Sequence, residues 1–463
     1  MSETQLSRTA GGQRYDVVIL GGGPGGYRAA ERTAEAGLKT VLIEEGALGG
    51  TCLNVGCIPT KTLLNSAKTY AHLADAARIG VKATGEFDLG TAMKWKAQVI
   101  SGLQKGISGM LKKRGVEIVN GRGILTDRNT VTVNGTAYRG ASLILATGSS
   151  SARPPIPGID SPGVVNSTEL LDITKLPKAV TVVGGGYIGM EFACWFGLLG
   201  IPVTVVEMMD EIIPFMDADL AAALRKSVPG VTYHLGARVK RIEAGGLIFE
   251  KAGSEERVAS DLILVSTGRV PNVDGLGFDA VGLDFDRHGV RVNDYCETNL
   301  PGVYAVGDVN GKSLLAHTAY RMADVAASRI VEKSGGPRAQ RMRYEAVPWV
   351  VFTAPEVAGC GLSEREAEAA GYQVTTGRIS LKASGRYVAE HPGESGTAKV
   401  VADATTGRIL GVQMLGSGVS ELIFGAALMI EAELRVKDVR EVIFPHPTVS
   451  EVLRDVMWEM EQA

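Results

Sequence analysis

An α/β fold in three parts is predicted for this chain of 463 residues, and three observations predict it. A strand, glycine turn, helix and strand follow one another near the start. The same unit recurs in the middle of the chain. From about residue 344 the pattern changes to alternating strands followed by helical stretches. A chain of this length exceeds one ordinary core and divides into about three domains at roughly 150 residues each. The 45% hydrophobic content, 59 glycines and only 6% aromatics suit tight strand-to-helix turns.

In the first unit, the apolar run 16–20 ends in Gly21-Gly22-Gly23-Pro24-Gly25-Gly26, followed by a helix-like stretch 27–36 and the stop Gly37. A second apolar strand, 40–43, ends in Glu44. Gly21 permits the tight turn, Gly23 lets the backbone approach a pyrophosphate, Gly26 allows close helix packing, and Glu44 can accept both ribose hydroxyls. A lone GxGxxG is weak, but here strand, helix and acid all stand where the fingerprint needs them. The second unit repeats the design with the strand 180–183, Gly184-Gly185-Gly186-Tyr187-Ile188-Gly189, a helix to Leu199, and the strand 203–206 ending in Glu207. Two dinucleotide sites on Rossmann-like domains are thereby predicted.

Each half closes on a buried strand and glycine turn, 143–148 containing Ala146, Thr147 and Gly148, and 262–268 ending in Gly268. After the second, 303–308 supplies another short strand with Asp308 at its end, where ligands of open sheets lie. The chain therefore returns to the first domain, and the second dinucleotide domain is inserted in it. The expected division is 15–148 with 274–343 for the first domain and 149–273 for the insert. An α+β domain over 344–463 serves assembly and substrate contact. The proline-rich stretch 153–158 suits the linker. The first fourteen residues are polar and are expected to form a disordered lead-in rather than a secretory signal.

A formal charge of −3 without blocks of like charge marks neither a nucleic-acid surface nor a polybasic membrane anchor. No apolar run reaches the ~20 residues that span a bilayer. Five cysteines are too few for a disulfide framework, which points to a reducing compartment, the cytoplasm. No metal site is expected. Among the cysteines one pair stands out, in Gly49-Gly50-Thr51-Cys52-Leu53-Asn54-Val55-Gly56-Cys57-Ile58-Pro59-Thr60-Lys61, leading into a helix-like stretch 62–77. The pair straddles a helix start, whose N-terminus favours thiolate at Cys57 and lowers its pKa below the ~8.5 of an ordinary thiol. Cys194, Cys296 and Cys360 read as packing residues.

With this motif, and with Phe444-Pro445-His446-Pro447-Thr448-Val449-Ser450-Glu451 near the end, the chain resembles the class I pyridine nucleotide:disulfide oxidoreductases over almost its whole length. The resemblance implies FAD in the first domain, held through Gly21, Gly23, Pro24, Gly26, Glu44, Gly50, Thr51, Lys61, Gly123, Ala146, Thr147, Gly148 and Asp308. The backbone at Leu315, Ala316 and His317 would add to that site. It implies NAD in the second, held around Gly184, Gly186, Tyr187, Ile188, Gly189, Glu207, Val239 and Gly268. Glu191 resembles the carboxylate that pairs with Lys61 beside the flavin. Cys52 and Cys57 would be the redox pair, with His446 as the base and Glu451 as its carboxylate partner. A homodimer is also implied, in which His446 of one protomer approaches the cysteines of the other.

Within the family, Glu207 favours NAD, because a carboxylate accepts a ribose 2′-hydroxyl and repels a 2′-phosphate. The chain ends without the C-terminal cysteine pairs of mercuric and large thioredoxin reductases, and it keeps the pair that soluble transhydrogenases lack. What remains is the branch that oxidises dihydrolipoyl groups on a lipoylated acyltransferase or carrier subunit of a multienzyme complex. An NAD(P)H-dependent reductase of another disulfide, similar to glutathione reductases, stays open as the alternative. Thr60, Thr318 and Pro445 depart from the Ser, Lys and Ala commonest in the family.

Overall fold

A computed structural model describes residues 13–460 of the chain. The lead-in expected over residues 1–14 lies outside them, apart from its last two residues. Gln13 and Arg14 extend the first strand, because Tyr138 and Arg139 offer them parallel partners. The chain forms two compact units. Among the described residues, one consists of those up to Pro59 with Lys94–Ala152 and Arg269–Arg343, and the other of Thr60–Met93, Arg153–Gly268 and those from Tyr344 on.

The first unit is built on a sheet in the order Glu117–Asn120, Thr40–Glu44, Gln13–Leu20, Thr136–Leu145, Thr130–Val133 and Gly123–Asp127. Val17, Val18, Ile19, Val41, Leu42, Ile43, Leu143, Ile144 and Leu145 are all fully buried. Their continuous apolar runs are what a parallel sheet covered on both faces requires. The chain comes back to this sheet at Val303–Ala305, which pairs in parallel with Leu143, Ile144 and Leu145. Strand Ser149–Ser151 pairs antiparallel with Arg269–Pro271, so this two-stranded connector stays with the first unit and the insert runs from Arg153 to Gly268. The sequence alone sets those borders a few residues further out.

In the second unit, Val231–His234, Val203–Val206, Val180–Val183, Leu262–Val265 and Val164–Val165 make a parallel sheet. A three-stranded antiparallel sheet spans 237–259. From Trp349 to Leu415 five strands form an antiparallel sheet, against which helices Val419–Glu431 and Glu451–Glu459 bury Ile423, Ala426, Val452, Leu453 and Val456. Among the described residues no helix is long and apolar enough to cross a membrane.

The returning strand of the first unit is tied down electrostatically. Glu297, bridged to Tyr304, accepts Lys333 Nζ at 2.5 Å, Asn293 Nδ2 at 2.8 Å and Arg329 Nε at 3.1 Å. Partial burial alone would raise its pKa, but the bonds from Lys333, Asn293 and Arg329 outweigh this and hold it down at about 2. A carboxylate with a depressed folded-state pKa stabilises fully above its unfolded value of about 4.3, and the contribution fades as pH falls through the folded value. Glu297→Gln is therefore expected to lower the thermal midpoint at pH 7, with the gap to wild type closing between about pH 5 and pH 2 in melts across that range. A gap independent of pH would show that shape rather than charge holds the strand.

Candidate active site

The first glycine turn is formed by backbone pressed against backbone. Gly21 has a φ of +106°, and a Cβ there would lie 2.2 Å from the Ala146 carbonyl oxygen. At Gly26 a Cβ would lie 1.8 Å from the Gly21 oxygen. Helix Pro24–Glu35 starts beyond Gly23, with no side chain capping its amides and no acid in its first turn. Those uncapped N–H groups and the positive end of the helix dipole fit a diphosphate. Glu44 accepts from Gly22 N at 2.5 Å and Gly46 N at 2.7 Å, so its carboxylate is fixed at the rim of the turn with lone pairs left for hydroxyl groups.

The cysteine segment is folded onto this turn. Gly49 N donates to Gly22 O at 2.9 Å, and Gly50 approaches so closely that its Cβ would sit 2.5 Å from Gly23 Cα. Helix Gly50–Val55 carries Thr51 and Cys52, the chain kinks at Gly56, and helix Cys57–Asp75 begins with Cys57 itself. The sequence predicts the second helix start, whereas the short helix under Cys52 is visible only in the structure. Asn54 secures the loop, donating to Ala47 O and Leu48 O and accepting from Gln104 Nε2 at 2.7 Å. Cys52 and Cys57 are half-buried and near disulfide distance of one another. The other three thiols are buried, and desolvation pushes Cys194, Cys296 and Cys360 each up to about 12, which keeps them protonated and unreactive.

Asp308 lies in the short 3-10 turn Gly307–Asn310 after the returning strand. Burial raises its pKa, and the Ser149 hydroxyl, donating to Oδ2 at 2.5 Å, works against that shift together with Arg269. Arg269 is the residue that sequence reasoning passes over. Its guanidinium donates to Ser149 Oγ at 2.8 Å, to Ser149 O at 2.5 Å and to Thr51 Oγ1 at 3.3 Å, and lies 3.9 Å from Asp308. Its only signal in the sequence is adjacency to Gly268.

Asn272, likewise unflagged, donates to Thr147 O and accepts Ser150 Oγ, while Asn272 N donates to Gly148 O. Leu315 and Ala316 open helix Ala316–Lys333, again without a side-chain cap, and His317 is its second residue. Thr318 is buried and accepts the Ser313 hydroxyl at 3.0 Å. Gly123 has a packing reason of its own, since a Cβ there would meet Leu20 at 2.5 Å and Val131 at 2.8 Å.

The second turn repeats the geometry. A Cβ on Gly189 would lie 2.0 Å from Gly184 O, whereas one on Gly186, before helix Tyr187–Leu198, would meet nothing within 4 Å. Ile188 is the second residue of that helix, and Tyr187 stacks on Phe215 at 4.6 Å. Glu207 accepts Gly185 N at 2.6 Å and Met209 N at 2.7 Å, matching Glu44. Val239 lies on strand Ala237–Glu243, where the register shifts, and Gly268 ends the inserted segment Arg153–Gly268. In the same unit Lys61 Nζ reaches both oxygens of Glu191 at 2.7 Å. His446 Nδ1 lies 3.0 Å from Glu451 Oε1, and Thr448 N donates to Oε2 at 3.0 Å. The Thr448 amide, and after it His446, holds the Glu451 pKa down. The His446 side chain is 80% exposed, with the rest of its ring offered outward. No cluster of three or more His, Cys, Asp or Glu side chains that could hold a metal occurs among the described residues.

Comparison with known proteins agrees with this chemistry. Residues 15–323 match the family described as pyridine nucleotide-disulphide oxidoreductase, and residues 347–457 match its dimerisation domain. The chain belongs to that family. It is an oxidoreductase, and its two uncapped glycine turns fit the FAD and NAD with which the family works. Dihydrolipoyl dehydrogenase of Thermus scotoductus is 41% identical over 95% of this chain and 96% of its own length, and the mitochondrial dihydrolipoyl dehydrogenase of Pisum sativum is 37% identical over 96% and 91%. The HOCl-induced flavoprotein disulfide reductase RclA of Escherichia coli superposes with a TM-score of 0.85 at 28% identity, over 96% of this chain and 99% of that one.

The two glycine classes separate experimentally. Gly26→Ala pushes a methyl group into backbone and is expected to cost on the order of 1–3 kcal/mol of stability and to leave the purified protein poor in FAD. Gly186→Ala enters open space and is expected to keep the melting temperature while raising the KM for NADH. Thermal melts and flavin absorbance of the two variants, side by side, check this, and equal melting temperatures would contradict it.

Proposed function

We propose that the chain is a dihydrolipoyl dehydrogenase, oxidising protein-bound dihydrolipoyl groups through Cys52 and Cys57 and reducing NAD. The observation that carries this reading is the cysteine segment built onto the first glycine turn, where Gly50 touches Gly23 and Cys57 opens a helix. We assign FAD to 15–148 with 274–343, through Gly21, Gly23, Gly26, Glu44, Gly50, Thr51, Lys61, Asp308 and the 315–317 backbone. NAD is assigned to the insert Arg153–Gly268, through Gly184, Gly186, Gly189 and Glu207, and dimer assembly to 344–463. The exposure of His446 on its own protomer supports a homodimer in which it serves the partner's cysteines. A lipoylated acyltransferase or carrier subunit in the cytoplasm completes the picture.

In the proposed reaction Glu451 holds Nδ1 of His446, so Nε2 takes the proton from one dihydrolipoyl thiol. The resulting thiolate attacks Cys52 Sγ of the oxidised pair, forming a mixed disulfide and expelling Cys57 as a thiolate stabilised by its helix N-terminus. The second substrate thiol then attacks the substrate sulfur bonded to Cys52, its proton passing to the departing Cys52 sulfur as the cyclic disulfide is released. Two electrons now reside on the cysteine pair. FAD, held by the residues around Gly21, Gly26 and Glu44, would supply the two-electron relay between this pair and NAD.

Steady-state assay with dihydrolipoamide and NAD, against NADPH and glutathione disulfide, tests the assignment, and a larger kcat/KM for the second pair would overturn it. His446→Gln is expected to slow dithiol oxidation by about 10² or more while NADH-driven dye reduction changes little. Equal loss of both reactions would mean that His446 acts in folding or assembly. Glu207→Ala is expected to weaken NAD and improve NADP, because it removes ribose hydrogen bonds and charge repulsion together. An unchanged ratio of the two kcat/KM values would show that Glu207 does not read the ribose.

A further inference from the structure

Helix Tyr187–Leu198 does more than begin at a glycine turn. Tyr187, Glu191 and Cys194 fall at i, i+4 and i+7, one face of a helix; Glu191 and Cys194 meet the segment just after residue 348 directly, and Tyr187 is linked to it through Phe215. Tyr187 stacks on Phe215, whose ring meets Trp349 edge-on at 5.0 Å. Glu191 Oε1 accepts the Phe352 amide at 3.1 Å, and Cys194 Sγ accepts the Ala354 amide at 3.1 Å. Phe352 is thereby held by its backbone on the carboxylate that binds Lys61, and the Lys61 ammonium sits 4.6 Å from the centroid of the Phe352 ring.

We propose that Phe352 is a positioning residue for Lys61, its amide fixing the Glu191 carboxylate and its ring holding the ammonium by a cation–π contact. Glu191 is buried and reaches Lys61 through both oxygens, yet a carboxylate by itself leaves an ammonium free to swing around it. A ring at 4.6 Å removes that freedom, because the negative face of the aromatic quadrupole attracts the cation from one direction only. Nothing in the local sequence around Val351-Phe352-Thr353 signals this, since the contact joins positions far apart in the chain. The inference rests on the proposed function insofar as Lys61 is the cation assigned to the flavin.

The test is the midpoint potential of the bound flavin, read by equilibration with a reference dye in the purified holoenzyme. Phe352→Leu keeps the amide and most of the volume but loses the ring quadrupole, whereas Phe352→Tyr keeps all three. Phe352→Leu is expected to shift the equilibrium constant with the dye by about threefold to tenfold, and Phe352→Tyr by less than about twofold. In a Lys61→Met background the Phe352→Leu shift is expected to vanish, since the ring acts only through the ammonium. A Leu shift that persists in that background, or a Tyr variant as altered as Leu, overturns the proposal. So does an unshifted potential in a Phe352→Leu protein whose melting temperature is lowered, because Phe352 would then be structural only. If Lys61→Met by itself leaves the potential unchanged, the assignment of Lys61 to the flavin fails instead, whatever Phe352 does.

Discussion

Much of the candidate site depends on one contact, the Cα of Gly26 lying against the carbonyl oxygen of Gly21 with no space for a methyl group. That approach brings helix Pro24–Glu35 down on the end of strand Gln13–Leu20, so its first amides open at the edge of the sheet. Glu44 is then held by the Gly22 amide, and the cysteine segment is laid over the turn through Gly49 and Gly50. Gly184 and Gly189 repeat the contact, and Glu207 repeats Glu44. The second copy differs beyond its acid, where the chain leads on to Met208 and Met209 rather than to a pair of thiols.

The chemistry is separated by environment as much as by residue type. All five cysteines carry the same thiol, but desolvation pushes Cys194, Cys296 and Cys360 up to about 12 and removes them from reaction. Cys52 and Cys57 stand instead half-buried at helix positions, and Cys57 opens a helix, the end at which a backbone dipole favours an anion. The carboxylates divide in a similar way. Glu44 and Glu207 are fixed by amides at nucleotide turns, Glu191 and Glu451 by a lysine and a histidine, and Asp308 by a serine and an arginine.

How much of this is legible in the chain depends on the range of the interaction. The glycine turns, the acids that end the second strands and the helix start near Cys57 all depend on residues within about twenty positions of each other. Backbone conformation and helix dipoles are local properties, so residue order alone determines them. Arg269, Asn272 and Phe352 were illegible for the opposite reason. Arg269 acts on Ser149 across 120 positions, Asn272 on Thr147 across 125, and Phe352 on Glu191 across 161.

The same distinction separates the outlines of the units. By itself the sequence determined that two glycine turns of the dinucleotide type exist and that one carries a cysteine pair, since each is a short motif with its own backbone reason, while the histidine–carboxylate couple came from the resemblance of the segment around His446 to the family. The tertiary structure alone decided that Ser149–Ser151 and Arg269–Pro271 close into a connector, and that residues 60–93 group with the insert. It also decided that Arg269 joins Thr51 to Asp308 through Ser149. Strand pairing and buried side-chain contact are chosen by what the packed sheets bring within hydrogen-bonding distance. Neighbours in the chain carry no record of partners more than a hundred residues away.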